Sequence, residues 1–370
     1  MEIVDVAIVG GGPAGSTCAA FCAAAGLRTV LIEREKFPRE KVCGDCLNPA
    51  CWPVLRRLAL FERVRSLPHS KLERVEFIAI GGQKVIVDLP SGDENEIAIK
   101  RSLLDNLLLN RARELGAEIH EQSIVTALSK TTSRNAEMIG VRESFRSWKI
   151  DIVTQTFGAR FLVGADGRNS TVARLCNLLP RPERERVALQ AHIPLPRDFG
   201  NRVVLQFLPE GYSGQAPTGN GELNLCLVGK PSSISNLKTW AEEEFGVARD
   251  HSWRTITPLT RQALTPTNAR LLLIGDAARV VEPFTGEGIF YAMRSGEMAA
   301  GAAETLIREK SRRAELEYAR LHAAMYRGRL WVNGLARLAV VSPKVGSAFF
   351  ELARFHPALL RLLTRKVVNL

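Results

Sequence analysis

The sequence predicts an α/β fold in which a Rossmann-like nucleotide-binding domain is interrupted by a mostly antiparallel β domain and followed by C-terminal helices. Three observations predict it. The chain opens on a strand, a Gly-rich turn, a helix and a second strand. Two later apolar strands each run into an Asp/Gly turn ahead of a helix. Between these pieces, two stretches are built from short runs with strand-like patterning separated by turn residues. With 370 residues and 46% hydrophobic content, the chain can bury a large core and divide into two domains.

The opening element is MEIVDVAIVGGGPAGSTCAAFCAAAGLRTVLIERE. An apolar strand from Ile3 to Val9 enters Gly10-x-Gly12-x-x-Gly15, an Ala-rich helix follows, and a strand from Thr29 to Ile32 ends at Glu33. Gly10 permits the tight turn, Gly12 lets a pyrophosphate approach the backbone, and Gly15 lets the helix pack closely on the strands. The helix N-terminus then presents free N–H groups and a positive dipole end to the phosphates. Glu33 stands at the strand end, where a carboxylate accepts from both ribose hydroxyls. Arg34 could pair with a 2′-phosphate, yet the acid beside it favours an unphosphorylated ribose, as in FAD or NAD.

Next comes KVCGDCLNP, with Cys43 and Cys46 three apart. The pair could be a thiol–disulfide couple, half of a zinc site, or part of a loop passing a cofactor. Zinc needs two further ligands, and neither Cys51 nor a nearby His completes the pattern, so no metal site is expected. In IKRSLLDNLLLNRARELGAEIHEQSIVTAL, a helix begins at Arg101-Ser102 with Leu103, Leu104, Leu107 and Leu108 inward, and the following strand reaches Val125. In ARFLVGADGRNSTVARLC, a strand from Phe161 to Gly164 runs into Asp166-Gly167 and a short helix. In ARLLLIGDAARVVEPFTGEGIFYAMRSGEMAA, a strand from Leu271 to Ile274 runs into Gly275-Asp276, then Gly286-Glu287-Gly288 and a long helix.

These two turns resemble the DG and GD motifs of the FAD-dependent group A monooxygenase superfamily. Within it, KVCGDCLNP and PFTGEGIFYAMRSGEMAA are most similar to the geranylgeranyl reductase family and its bacterial relatives, and the resemblance spans residues 1 to 300 or so. It implies non-covalent FAD. The cofactor shell it implies takes in Pro13 and Ala14 beside the glycines, and Lys41, Val42, Gly44 and Asp45 from the cysteine loop. Arg101 would meet the flavin chain, the Val125 backbone the adenine, and Asp166 the pyrophosphate side indirectly. Gly275 and Asp276 would serve the ribityl hydroxyls. Gly286, Gly288 and Ile289 would open a helix whose dipole stabilises anionic reduced flavin at its N1/C2=O edge. Arg101 is otherwise a solvated cation, but a helix N-terminus disfavours one, which argues for an anionic partner.

The nucleotide-binding domain is expected over 1–71, 100–186 and 263–300, the β domain over 72–99 and 187–262, and a helical region over 301–370. In the β domain, LERVEFIAI, QKVIVDL and NEIAI read as strands, and RVVLQFLPEGYSGQAPTGNGELNLCLVG as two strands joined by a Gly/Pro-rich connection. The resemblance makes this sheet the roof of the flavin and the wall of a substrate cavity, with Phe207, Tyr212 and Pro217 as pocket candidates; Tyr212 could equally pack a plain turn. The last segment carries Arg354, Arg361, Arg365 and Lys366 among Leu and Val. It could lie on an anionic membrane surface or pack on the body.

No Ser-His-Asp order or HExxH pattern can be assembled from the six histidines. The flavin would carry the chemistry, and the favoured reading is reduction of double bonds in an apolar, isoprenoid or lipid-like substrate. Alternatives are hydroxylation of an aromatic or polyketide-like substrate, disulfide exchange through Cys43 and Cys46, and non-catalytic prenyl binding of the escort-protein kind. In the favoured reading Cys43 or Cys46 is a proton donor or a small apolar wall. With no second Gly-rich βαβ unit, electrons would come from NAD(P)H docking transiently or from a separate redox protein. The net charge of +11 suits anionic cofactors or membrane surfaces, but dispersed arginines and 6% aromatics give no nucleic-acid module. Seven cysteines, an odd number, and no basic leader point to a reducing cytoplasm. No apolar run approaches the ~18 residues of a membrane span.

Overall fold

The computed structural model describes residues 3–131, 147–180, 186–283, 286–309, 313–327 and 344–345. The terminal segment with Arg354, Arg361, Arg365 and Lys366 lies outside them. Strand β1 (Ile3–Val9), helix α1 (Pro13–Ala24) and β2 (Thr29–Ile32) form the opening unit, with the bounds expected of it. Then follow β3 (Cys46–Leu47), α2 (Trp52–Arg57), α3 (Phe61–Arg65), β4 (Ser70–Lys71), β5 (Arg74–Ile78), β6 (Lys84–Asp88), β7 (Ile97–Ala98), α4 (Arg101–Glu114) and β8 (Glu118–His120). Strands β9 (Val125–Thr131), β10 (Ser147–Ile152) and β11 (Thr156–Gly164) precede α5 (Thr171–Leu175). Strands β12 (Val187–Pro194), β13 (Arg202–Leu208), β14 (Gly211–Gly219) and β15 (Glu222–Gly229) lead to α6 (Ile234–Phe245) and β16 (Arg254–Ile256). The chain returns through β17 (Thr267–Asn268) and β18 (Leu271–Leu273) to α7 (Gly288–Glu309) and α8 (Arg313–Met325).

The first sheet runs β17-β18-β11-β1-β2-β8, parallel from β18 to β8. Its strands are apolar along their length because helices cover the faces: α1, α4 and α7 pack on one side, burying Val6, Ile8, Leu31, Leu104 and Leu108. β11 is long enough to pair β10 at its start and β18 at its end. Gly10, at φ +105°, must be glycine, since a Cβ there would stand 2.6 Å from the Ala165 carbonyl oxygen. A Cβ on Gly15 would lie 1.8 Å from the Gly10 oxygen, so the close fit of α1 over the turn excludes a side chain.

The second sheet has seven strands in the order β16-β12-β15-β14-β13-β5-β6, antiparallel except for β13 against β5. β6 shows why it is half-buried: Val85 and Val87 face inward while Lys84, Ile86 and Asp88 are exposed. Its inner face gathers Val75, Phe77, Phe207, Tyr212 and Val228, and its other face packs Leu225 and Leu227 against Leu237 and Ala241 of α6. A small third sheet, β3-β7-β4, stitches the cysteine loop to both domains.

Three expectations change. The Gly/Pro-rich connection GYSGQAPTG is itself strand β14, between a turn at Pro209-Glu210 and one at Asn220-Gly221, where Asn220 (φ 54°) and Gly221 (φ 71°) are left-handed. Its glycines allow close strand approach: a Cβ on Gly211 would sit 2.1 Å from the Val228 oxygen. The NEIAI run pairs with β3 and β4 rather than joining the large sheet. Val125 begins β9, after β8 has ended at His120, so a turn separates two strands where one was expected.

Candidate active site

Between the two large sheets lies a cavity of about 730 Å³. Its floor is the opening unit. Gly12, Pro13 and Ala14 bring it the N-terminus of α1, which has no side-chain cap and no acid in its first turn. Where a Gly12 Cβ would stand, the nearest atom is Arg39 Nη2 at 3.6 Å, and nothing lies within 4 Å of one on Gly44 or Gly288. These positions leave open a path along the loops and helix start that a flat ring and a pyrophosphate would fill.

Glu33 is buried at the far end of this floor. Its carboxylate accepts from the Gly11 N–H at 2.6 Å and the Glu35 N–H at 2.9 Å. Each oxygen keeps a lone pair for a ribose hydroxyl. Arg34, beside it on the cavity rim, is largely exposed and pairs with Glu35 at 3.4 Å. Val125 lines the same end.

The middle of the cavity is strongly cationic, with Arg39, Lys41, Arg101 and Arg168 all on its wall. Asp105, fully buried, takes Arg101 bidentately at 2.8 Å and Arg39 at 3.1 Å; Asp276 takes Arg168 at 3.1 Å. Lys41 receives no such partner among the described residues, and burial, then the charges of Arg101, Arg168 and Arg39, lower its pKa to about 8. Asp105 and Asp276 thus take three of these four cations, and Lys41 is left for an anionic group such as a pyrophosphate.

Asp166 and Gly167 also line the cavity, but the Asp166 carboxylate is turned onto its own helix: it accepts from Ser170 Oγ at 2.5 Å and from the Val172 N–H at 3.0 Å. Its contribution is therefore to shape the turn. Gly275 does not reach the cavity; at φ +55° it packs on Ala14, and its N–H donates to Ser295. Gly15 likewise serves packing. Gly286, Gly288 and Ile289 also line the cavity.

Asp45 departs most from expectation. With φ at 59° it turns away from the cavity, fully buried, toward the second sheet. Its Oδ2 lies 2.8 Å from His192 Nε2 and accepts from Asn224 Nδ2 at 2.8 Å. The neighbouring Cys43 carbonyl accepts from Gln190 and Asn224, both at 2.8 Å, and from the Cys226 thiol at 3.4 Å. Strands β12 and β15 thus clamp the loop and hold Lys41, Val42, Cys43, Gly44 and Cys46 on the cavity wall. Burial raises the Asp45 pKa against the pull of His192.

Beyond the loop the cavity becomes apolar, walled by Val75, Phe77, Val203, Leu205, Val228 and Leu259. Tyr212 lines it, as do Gly214 and Ala216 of the same strand. Pro217 does not: one residue past Ala216, it sits opposite Leu223, which belongs to the cluster on the far face of the sheet. Phe207, facing Tyr212 across the strand pair, is 1% exposed in the inner core and off the cavity. All described cysteines are free thiols. Burial raises both Cys43 and Cys46, Cys46 well above the ordinary thiol value. Burial thus holds both thiols toward the protonated form and disfavours the thiolate that a disulfide couple uses. Among the described residues no group of His, Cys, Asp and Glu could hold a metal.

Sequence reasoning missed Arg39, Arg168, Glu96, Gln190, His192 and Asn224. Arg168 follows the DG turn directly and was open to notice. The three clamp residues are polar positions within apolar strands, a signal that marks buried hydrogen bonding without naming its partner.

A family model described as FAD binding domain matches residues 3–194. Menaquinone reductase of Mycobacterium tuberculosis strain H37Rv is 30% identical over 332 residues, covering 81% of this chain and 76% of that protein. Digeranylgeranylglycerophospholipid reductase of Thermoplasma acidophilum is 25% identical, covering 81% and 78%. Among solved structures, pqsL of Pseudomonas aeruginosa, described as a probable FAD-dependent monooxygenase, superposes with a TM-score of 0.76 at 17% identity, over 94% of this chain and 99% of that one. The flavin-dependent brominase Bmp2 gives 0.78 at 19%, over 100% and 95%. The floor, the cationic middle and the open glycine path together fit FAD, and the chain belongs to the FAD-binding-domain family as an FAD-dependent oxidoreductase.

Proposed function

We propose that the chain reduces double bonds of an isoprenoid or lipid-like substrate with hydride from reduced FAD. The apolar half of the cavity carries this reading: a chamber walled by aliphatic and aromatic side chains opens from the flavin side and suits a long hydrocarbon. The names of the two reductases support it, since menaquinone and digeranylgeranyl lipids both carry polyprenyl chains. Bound FAD supplies the hydride chemistry. Lys41, Arg101 and Arg168 would neutralise its phosphates, and Glu33 would orient its ribose. The α7 N-terminus would favour negative charge on the reduced ring. Val75, Phe77, Leu205 and Val228 would keep water from the reacting carbons.

The electron donor is NADH, NADPH or a separate redox protein; anaerobic bleaching of the bound flavin by each nucleotide separates these. To test the reaction, FAD-loaded protein reduced with dithionite is mixed under nitrogen with polyprenyl lipids and quinones, and the products are weighed by mass spectrometry. Products that gain hydrogen support the reading. Products that gain oxygen, formed only in air, would replace it with hydroxylation.

A further inference from the structure

Glu96 precedes β7 on the seam between the two domains, and it is 8% exposed. Its backbone is fixed on both sides: the Asn95 carbonyl accepts from the Trp52 indole at 3.0 Å, and its own carbonyl accepts from the Leu72 N–H at 3.0 Å. Glu96 lines the cavity, as does Cys46 of the paired strand β3. Among the described residues, its carboxyl takes no hydrogen bond and no ion pair, unlike the buried carboxylates of Glu33, Asp105 and Asp166.

An unpartnered carboxylate in an apolar wall is expensive, and the group answers by holding its proton. Burial raises its pKa to about 7. The titratable groups that face it do not disturb this. The paired strand β3 brings the Cys46 thiol and the turn beyond it the Cys51 thiol; burial pushes both up, so both stay neutral. The other paired strand, β4, brings Lys71, which is exposed and stands opposite Ile97. Glu96 is thus a carboxylic acid on the chamber lining, with its O–H uncommitted among the described residues, where the thiols are more weakly acidic.

We propose that Glu96 is the proton donor of this site, which rests on the reductase reading above. FAD, when bound and reduced, would supply the hydride, and with it two electrons, to one carbon of the substrate double bond, while the Glu96 O–H would give its proton to the other carbon as the π bond breaks. The carboxylate left behind regains its proton from water, which restores the acid for the next turnover.

The test has two arms. Infrared difference spectra of the FAD-loaded wild type across pH should show a protonated carboxyl band that titrates near pH 7 and is missing in Glu96→Gln. In anaerobic single turnover, Glu96→Gln should reduce the polyprenyl substrate about 10²-fold or more slowly, with FAD content and the anaerobic reduction of its flavin unchanged, while Glu96→Asp keeps part of the rate. Wild-type turnover should fall as pH rises through 7. Absence of that band from the wild type overturns the proposal, whether or not the variants fold. So does a Glu96→Gln protein that keeps pace while the wild type reduces substrate, and this leaves the reductase reading intact. A wild type that reduces no polyprenyl lipid sinks both.

Discussion

Lys41 and Glu96 share one cavity and are displaced by burial in opposite directions, toward the neutral form in each case. For Lys41 the consequence is in binding. Its free-protein pKa of about 8 means it is cationic below that pH and neutral above it, and an anionic cofactor favours the cation. FAD affinity should therefore be full below about pH 8 and fall as pH rises through it, with proton uptake on binding visible by calorimetry in two buffers. Lys41→Met should weaken FAD and remove this pH dependence. For Glu96 the consequence is in stability. Its folded pKa of about 7 exceeds its unfolded value, so ionisation penalises the fold from about pH 4.5 upward and most fully above pH 7. The penalty is about 3 kcal/mol at ~1.4 kcal/mol per pKa unit. Glu96→Gln should raise the melting temperature above pH 7 and change it little at pH 4.5.

At the level of elements, the opening unit makes a paired prediction. Gly12→Ala adds a methyl where only Arg39 approaches, at 3.6 Å, so the fold should survive while FAD affinity falls tenfold or more, about 1.4 kcal/mol. Gly15→Ala drives a methyl into the Gly10 oxygen and should fail to fold as the wild type does. Thermal melts with and without FAD separate the two. This unit was legible because each glycine answers a local demand, and β1, β2 and Glu33 follow at fixed spacing. The GD turn and the α7 helix start were legible for the same reason. Strand β14 was not: its Gly and Pro read as a loop, and only its neighbours β13 and β15 make it a strand. Asp45 was misplaced because its partners, His192 and Asn224, lie about 150 and 180 residues away, and no local pattern announces a clamp of such span. Glu96 was passed over since a single acid in a short strand usually faces water; burial alone makes it an acid.

At the scale of the whole molecule, the cavity is charged at one end and apolar at the other, with the cysteine loop between. FAD would touch β1, β2, α4, α7 and the cysteine loop that the second sheet clamps at once. Binding should therefore stabilise both sheets together as one cooperative unit, by about 2.7 kcal/mol at a hundredfold excess over Kd. Among the described residues no helix is long and apolar enough to cross a membrane. The fate of the reduced flavin decides most directly between reduction and hydroxylation. In stopped flow under nitrogen, a polyprenyl substrate should reoxidise it with formation of one hydrogenated product per flavin. A flavin that stays reduced until oxygen is admitted, and then yields an oxygenated product, would contradict reduction.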